Sequence, residues 1–279
     1  MVRFSVQAQP TQGGKAWTEL ARRVEDLGFD ALYVADHIGE TADPFAALAA
    51  AAAVTSTLRL GTYVLNAGVR EPLLIASGAA TVDALSGGRM ILGIGAGHTP
   101  AEWTMLGRPY PSARERVQRL RAVVGELRAH LPDEQQIPLL IGGNGPRAVQ
   151  LAASEADIVG LSGLGRTLED GHRHEALWFP AAIDERVAIV RKTGRDVVLD
   201  ALVQHFQISD ERTKVAEVLA SRVQGLTPAD ALTAPYALFG TVEQLAEELA
   251  RHRDRWGFTS YVVRAAAIDD AAQVLRYVP

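Results

Sequence analysis

The sequence predicts an α/β fold, and within that class a (β/α)8 TIM barrel. Short apolar runs that suit β-strands alternate with longer helical patterns from one end of the chain to the other, which is typical of parallel βα units. Eight such units fit into 279 residues, at about 35 residues each, close to the size of one βαβ step. No linker or internal repeat divides the chain, so we expect a single domain over residues 1–279. An open doubly wound sheet is the alternative architecture.

The predicted strands are the apolar runs between the helical patterns. Each of them is followed by a segment that suits a helix. In chain order the strands are Arg3 to Ala8, Ala31 to Asp36, Leu58 to Val64, Met90 to Ala96, Pro138 to Gly142, Ile158 to Ser162, Val197 to Ile208 and Ser260 to Ala265.

The first two helices have readable ends. An amphipathic pattern from Lys15 to Leu27 stops at Gly28, a residue suited to the end of a helix. The second helix begins near Pro44 and reads FAALAAAAAV, apolar on every side, so we expect it to be buried on two faces. Its outer face is a candidate subunit interface, and we expect a homodimer. Alanine chosen simply for helix propensity is the alternative explanation.

The composition predicts a protein that works on small molecules. The formal net charge is -5, with 48% hydrophobic and 22% charged residues, and nothing in this balance indicates nucleic acid as a partner. The chain has no cysteine, which excludes disulfides, thiolate metal sites and cysteine nucleophiles. The first residues lack a secretory apolar core, and the longest apolar run, Phe45 to Val54, is too short to span a bilayer. We therefore expect a cytoplasmic protein with no membrane partner.

The most informative stretch is LSGGRMILGIGAGHTP, from Leu85 to Pro100. Its glycines Gly93, Gly95 and Gly97 alternate along a predicted strand, so they share one face, and that face carries no side chain. We interpret the face as a slot against which a planar group lies; close packing of a helix or strand is the alternative. The pattern is not the dinucleotide fingerprint G-x-G-x-x-G, because Pro100 stands where the third glycine would be.

Polar residues stand at the ends of the predicted strands, where TIM barrels hold their functional groups. Strand two ends in Asp36 and His37, an acid beside an imidazole that titrates near neutrality. A pair that caps the next helix is the alternative. Strand three leads to Asn66, and strand four leads to His98.

Strand five runs into a glycine-rich turn, residues 142–145, which is followed by Pro146 and Arg147. Converging backbone N–H groups and the positive end of a helix that starts at Pro146 suit an anion such as phosphate, with Arg147 as its counter-charge. A glycine-rich turn without a ligand is the alternative. The sequence has no P-loop, H-E-x-x-H, EF-hand or G-x-S-x-G motif, so neither metal nor acyl-enzyme chemistry is expected.

Two segments do not fit the regular count of βα units. Residues 163–180 follow strand six and are long, polar and rich in Gly, His and Arg. Residues 211–235 follow strand seven and include a helical stretch, Lys214 to Val223. Segments of this length in compact domains are usually functional or disordered. We expect both to lie at the rim of the barrel and to cover a substrate opening.

Several stretches follow the order and spacing of a known family. They are LARRVEDLGFD at residues 20–30, the Asp36-His37 pair, RLGT at 59–62, AATVD at 79–83 leading into LSGGR at 85–89, and the Gly93-x-Gly95-x-Gly97 strand. Together they resemble the bacterial luciferase-like flavin monooxygenases, and within that superfamily the oxidoreductases that use coenzyme F420, a 5-deazaflavin. The similarity runs from about Arg3 to Ala156 and resumes at the last strand and helix.

The resemblance implies a (β/α)8 barrel that holds the cofactor ring in its mouth, with a non-proline cis peptide at or near Tyr63-Val64. It implies ring contacts from the ends of strands two to four, namely Asp36, His37, Tyr63, Val64, Asn66, Gly95, Ala96, Gly97 and His98. It places the phosphate-bearing tail at the loops after strands four to six, on Gly142, Gly143, Asn144, Ser162 and Gly163.

The function that the resemblance implies is hydride transfer between C5 of the deazaflavin and a small organic substrate at the mouth. We expect His37 to exchange a proton with the substrate, with His98 as the second candidate and Asp36 as the orienting acid. The chain departs from the family by carrying His98 where relatives often have an acid or Trp, and Ile38 to Glu40 where some have an aromatic residue. The alternatives are an FMN-dependent monooxygenase that uses oxygen and a separate reductase, and a flavin-binding relative without catalytic activity.

Overall fold

The computed structural model describes residues 2–132, 135–168 and 174–278 of the chain. Its main feature is a closed barrel of eight parallel strands surrounded by helices, which confirms the predicted (β/α)8 fold. The strands of the chain are β1 (Arg3–Ala8), β2 (Ala31–Val34), β3 (Arg59–Thr62), β4 (Leu65–Asn66), β5 (Met90–Gly95), β6 (Leu139–Gly142), β7 (Ile158–Leu161), β8 (Leu164–Thr167), β9 (His174–Ala176), β10 (Val198–Leu202), β11 (His205–Ile208), β12 (Ala237–Gly240) and β13 (Phe258–Arg264).

The barrel strands pair in the order β1, β2, β3, β5, β6, β7, β10 and β13, and β13 pairs again with β1. The two-residue strand β4 pairs with β5 beyond the end of β3. Because all these pairings are parallel, the carboxyl ends of the strands meet at one mouth of the barrel. That mouth is where TIM-barrel enzymes hold their functional groups.

The helices follow the barrel strands around the outside. They are α1 (Gly14–Asp26), α2 (Pro44–Ala52), α3 (Pro72–Ser86), α4 (Pro100–Met105), α5 (Ala113–His130), α6 (Pro146–Glu155), α7 (Pro180–Arg191), α8 (Arg212–Arg222), α9 (Pro228–Ala231), α10 (Val242–Trp256) and α11 (Ile268–Tyr277). Six of them begin with proline, whose missing N–H costs nothing in a first turn. As predicted, the chain leaves α1 through Gly28, with φ at +81°. In the described ranges, no helix combines the length and the apolar character needed to cross a membrane.

The predicted seventh strand, Val197 to Ile208, is wrong as a single strand. The barrel strand β10 ends at Leu202, and the chain then leaves the barrel. The N–H of Val203 still donates to Val262 O at 2.8 Å, but the N–H of Gln204 donates to Tyr236 O at 2.7 Å. The chain therefore changes partner within two residues, and β11 pairs in parallel with β12 outside the barrel. A run that stays rich in strand-forming residues from Val197 to Ile208 conceals such a change of partner.

Both segments expected at the rim contain regular structure. Strands β8 and β9 form an antiparallel hairpin within residues 163–180, while residues 169–173 of that segment lie outside the described residues. Residues 211–235 contain α8 and the short α9, so the predicted helix from Lys214 to Val223 begins two residues earlier and ends one residue earlier than expected.

The barrel interior is filled by a cluster of its own, separate from the layer between the strands and the helices. A buried carboxylic acid, Asp200, lies among these interior side chains and is 1% exposed. The hydroxyl of Tyr63 donates to its Oδ1 at 2.8 Å, whereas its Oδ2 has no hydrogen-bond partner among the described residues. Burial raises the pKa of Asp200 to about 6, while the hydrogen bond from Tyr63 acts in the opposite direction.

We expect the Asp200→Asn variant to lose less stability than the original protein as the pH rises. An aspartate titrates near pH 4 in the unfolded chain and near pH 6 in the folded one, so the folded state holds more protons between these values and its stability falls as the pH rises through them. Two pKa units correspond to about 2 to 3 kcal/mol. Urea unfolding at pH 4.5 and pH 8 measures the difference. The exposed Asp210→Asn is the control, and equal pH profiles for Asp200→Asn and the original chain would contradict the prediction.

Candidate active site

Asp36 anchors the mouth of the barrel at the end of β2. Its side chain is 2% exposed and accepts two hydrogen bonds from Arg70, from Nε at 2.7 Å and from Nη2 at 2.8 Å. The N–H of Asn66 also donates to Asp36, at 3.2 Å. Arg70 reaches in addition to Asp43, the N-cap of α2, at 3.2 Å. Asp36 therefore ties β2, β4 and the loop after β4 together.

The acid that contacts His37 is Glu102, not the expected Asp36. His37 Nδ1 lies 2.9 Å from Glu102 Oε1, and Asn66 Nδ2 donates to Glu102 Oε2. The Glu102 side chain is 4% exposed, while that of His37 is 34% exposed. The hydrogen bond to Glu102 raises the pKa of His37 above its ordinary value, although burial acts in the opposite direction.

This contact also assigns the two ring nitrogens of His37. A carboxylate only accepts hydrogen bonds, so Nδ1 carries a proton toward Glu102. Nε2 is then the ring nitrogen that is left to gain or lose a proton. The sequence motifs assigned no role to Glu102. The sequence feature that could have identified Glu102 is its place in the first turn of α4, the helix that begins soon after the glycines of predicted strand four.

His98 forms a row of imidazoles with two other histidines. The ring centroids of His37 and His98 are 5.8 Å apart, and those of His98 and His174 are 5.0 Å apart. Partial burial, followed by the neighbouring His174 and His37, lowers the pKa of His98 to about 4. His98 is therefore neutral at physiological pH. The sequence analysis did not single out His174, which lies on β9 of the rim hairpin.

The expected cis peptide is present between Tyr63 and Val64. The Gln7 side chain donates from Nε2 to the carbonyl oxygen of Tyr63. The Tyr63 side chain is 5% exposed and points into the barrel, where it contacts Tyr33 and Asp200. The Tyr63 ring is therefore withdrawn from the mouth, whereas the side chain of Val64 is half-buried there.

The expectation of a bare glycine face along β5 is wrong. A Cβ atom added to Gly93 would lie 1.9 Å from the carbonyl oxygen of Thr62, and one added to Gly95 would lie 2.7 Å from Val64 Cγ2. A Cβ on Gly97 would meet Asn66 Oδ1 at 2.2 Å. These glycines make room for the neighbouring strand segment, so the alternative of close strand packing applies here. They shape the mouth indirectly, by letting Val64 and Asn66 take their positions.

The glycine-rich turn after β6 is also engaged within the protein. Asn144 Oδ1 accepts hydrogen bonds from the N–H groups of Ser162 and Gly163, both at 3.0 Å, and Asn144 Nδ2 donates to Ser162 Oγ at 2.7 Å. The N–H of Gly143 donates to Gly160 O at 3.0 Å. The structure thus brings the predicted tail residues together, but three of the expected amide donors already have protein acceptors. The first turn of α6, which has no side-chain cap, and the exposed Arg147 remain for an anion.

A cavity of about 470 Å³ opens beside His98, and we call it the rim cavity. Both rim segments and the turn between β10 and β11 contribute to it. It is lined by His98, Leu164, Leu168, His174, Glu175, Ala176, Trp178, Gln204, His205, Leu219, Arg222, Val223 and Gln224. Within the described ranges, no group of three or more His, Asp or Glu side chains is arranged to hold a metal ion.

The closed barrel, the cis peptide at the end of β3 and the His37–Glu102 pair define a TIM-barrel protein with a candidate active site at its C-terminal mouth. The model of the luciferase-like monooxygenase family matches residues 1–257. The chain therefore belongs to this family, as its sequence motifs predicted.

Two named relatives illustrate the sequence similarity. The chain is 32% identical over 183 residues to the F420-dependent glucose-6-phosphate dehydrogenase of Beutenbergia cavernae, a match that covers 55% of this chain and 53% of that protein. It is 24% identical over 210 residues to the 5,10-methylenetetrahydromethanopterin reductase of Methanolobus tindarius, covering 69% of this chain and 61% of that one. The chain thus spans between half and two thirds of the length of these relatives.

Solved structures share the whole fold. The coenzyme F420 dependent tetrahydromethanopterin reductase of Methanopyrus kandleri superposes with a TM-score of 0.74 at 19% identity, over 100% of this chain and 99% of that one. An F420-dependent secondary alcohol dehydrogenase in complex with an F420-acetone adduct gives 0.73, with the same identity and coverage. At this identity the likeness shows the fold.

Proposed function

We propose that this protein is an F420-dependent oxidoreductase that acts on a small organic substrate at the C-terminal mouth of the barrel. The observation that carries the proposal is the His37–Glu102 pair, whose imidazole lies next to His98, a residue of the rim-cavity wall. The F420-dependent relatives support the choice of cofactor. A cytoplasmic location remains a prediction from the sequence.

The residues of the mouth fit a flat ring with an acidic tail. Val64, Ala96 and Gly97 are half-buried at the strand ends and offer apolar or main-chain surface to a ring. The uncapped first turn of α6 and the exposed Arg147 offer N–H groups and a positive charge to the tail. When bound, F420 supplies a carbon, C5, that donates or accepts a hydride.

In this proposal the protein residues orient the substrate and move a proton. His37 exchanges a proton with the substrate at Nε2, while Glu102 fixes the ring and stabilises its protonated form. Asn66 holds the second oxygen of Glu102. Asp36, which was expected to be catalytic, becomes a positioning residue, because it fixes Asn66 and Arg70. The neutral His98 is the acceptor nearest to His37 in the row of imidazoles.

Cofactor titration tests the proposal directly. We expect F420 to bind with a micromolar Kd, measured by quenching of cofactor fluorescence, and FMN to bind more weakly. FMN binding without F420 binding would overturn the choice of cofactor and favour the FMN-dependent monooxygenase. Binding of either cofactor without turnover of any organic substrate would favour the non-catalytic alternative.

We also propose that the chain forms a homodimer through α2 and α3, which pack side by side. The outward-facing side chains of α2 are alanines, and on α3 Leu73, Leu74 and Leu85 are 60 to 69% exposed. The one charged residue of the two helices, Asp83, is 7% exposed. A surface without charge is typical of the centre of a subunit interface, so a second copy of this uncharged face is the expected partner.

We expect Leu74→Glu to produce monomers. The new carboxylate would be buried without a partner in the dimer, which weakens association by about 100-fold or more. Light scattering coupled to size-exclusion chromatography measures the mass across a dilution series. Val218→Glu introduces the same charge at an exposed apolar residue of α8 and should leave the dimer intact. A dimer that persists with Leu74→Glu, or a monomeric original chain, would refute this interface.

A further inference from the structure

We propose that the rim cavity binds an organic acid, with an apolar body and one carboxylate, as the substrate of this protein. The inference rests on the proposed function, because it takes the rim cavity, which His98 lines next to His37, to be the substrate site. It goes further by assigning a chemical class to the substrate. Three properties of the cavity wall support it: its hydrogen-bond donors, its charge and its apolar part.

The first property is an unused donor. Trp178 lines the rim cavity and is 3% exposed, yet its Nε1 has no hydrogen-bond acceptor among the described residues. An indole N–H only donates, and a buried donor without an acceptor is unfavourable. An acceptor oxygen of a ligand that reaches this edge of the indole, which lies against Gly163, would satisfy it. Trp178 therefore points to an acceptor-bearing ligand.

The second property is the charge of the wall. Arg222 lines the cavity, and no carboxylate of the described residues lies within 4 Å of its guanidinium. The pKa of His205 is lowered mainly by burial of its imidazole, and the positive charge of Arg222 lowers it further. The acidic residue of the wall, Glu175, is already paired with Arg166 at 2.9 Å. Among the described residues of the cavity wall, the unbalanced charge is therefore positive, which favours a carboxylate over a neutral or cationic ligand.

The third property is the apolar side of the cavity. The rim hairpin contributes Leu164 and Ala176, while Leu219 and Val223 come from the C-terminal end of α8. All four are partly exposed and thus accessible to a ligand. Such a wall suits the hydrocarbon part of an amphiphilic acid. A highly charged cofactor tail would gain little from contact with an apolar wall, so we assign the cavity to the substrate.

Binding to the cofactor-free protein tests this inference. Calorimetry with 3-phenylpropanoate, 3-phenylpropan-1-ol and 3-phenylpropylamine compares one apolar body with three head groups. We expect the acid to bind about ten-fold or more tightly than the alcohol, and the amine not to bind. The acid's affinity should fall as salt is added. Equal affinity for acid and alcohol would overturn the inference.

Variants locate the head group. We expect Arg222→Gln to remove the preference for the acid, and Trp178→Phe to weaken binding of the acid several-fold. Arg121→Gln, an exposed position on α5, is the matched control and should change neither. Because Trp178 is buried, the result for Trp178→Phe is interpreted only if its circular dichroism spectrum matches that of the original protein. Arg222 is exposed, so Arg222→Gln should fold normally, and its result tests the inference. An unchanged preference in Arg222→Gln would refute the inference.

Two further measurements distinguish this inference from binding of a cofactor tail in the cavity and from the proposed function. A γ-glutamyl-glutamate probe that binds more tightly than 3-phenylpropanoate would assign the cavity to a polyanionic tail instead, and so overturn it. F420 affinity should be unchanged in Arg222→Gln. If F420 fails to bind while the acid binds with the expected preference, the proposed function fails and the assignment of the cavity as an acid-binding site stands.

Discussion

Replacing His37 by Asn should lower kcat by about 10² to 10⁴-fold, the range that positioned acid–base groups contribute. The variant keeps a side chain of similar polarity but has no group that takes up and releases a proton near neutrality. Stopped-flow absorbance of F420 with a substrate of the protein measures the change. Binding of the cofactor should stay within a few-fold, since His37 acts on the substrate.

Glu102→Gln tests the same pair through pH. The hydrogen bond from Glu102 raises the pKa of His37, so its loss should shift the corresponding limb of the pH profile of kcat/KM to lower pH. NMR titration of the His37 imidazole in the cofactor-free protein should show the same downward shift. His130→Asn, at the exposed end of α5, is the control and should keep full activity. A His37→Asn variant with unchanged kcat would remove His37 from the mechanism, and His98→Asn would then test the second candidate.

Removing Arg70 should destabilise the protein by about 3 to 5 kcal/mol, the cost of leaving a buried charge without its partner. The Asp36 side chain is 2% exposed in the original protein, and in Arg70→Ala its carboxylate loses two charged hydrogen bonds. Urea unfolding at pH 7 measures the loss. The double variant Asp36→Asn/Arg70→Ala should recover part of it, because the buried charge is gone.

Arg119→Ala is the matched control for Arg70. Arg119 also pairs with an acid, Glu71, but their side chains are 36% and 58% exposed. Exposed ion pairs contribute little, so the change should stay below about 1 kcal/mol. A similar small loss for Arg70→Ala would show that Asp36 is solvated or finds another donor.

The barrel was predictable because its signal is repeated. Eight apolar runs with intervening helical patterns leave few other topologies, and helix starts such as Pro44 and Pro146 follow from local rules. The second half of the predicted seventh strand was not predictable. Its partner, β12, lies about 30 residues away, and nothing in an apolar run tells which strand will pair with it.

The site was only partly predictable for a related reason. The strand ends place Asp36, His37 and Asn66 together, as expected for parallel strands. The contact that orients His37 depends on how α4 folds back over the mouth, a tertiary feature without a local pattern. Likewise, the amides of Ser162 and Gly163 looked free for an anion until the Asn144 side chain proved to accept from both.

The separation of the rim hairpin from the barrel sheet has a practical consequence. Strands β8 and β9 form a sheet of their own, and α8 lies outside the barrel strands. Libraries restricted to the hairpin and α8 can therefore alter which molecules the protein accepts, while the scaffold that carries His37 and Glu102 keeps its melting temperature. This family member is thus a suitable starting point for directed evolution of new substrate ranges.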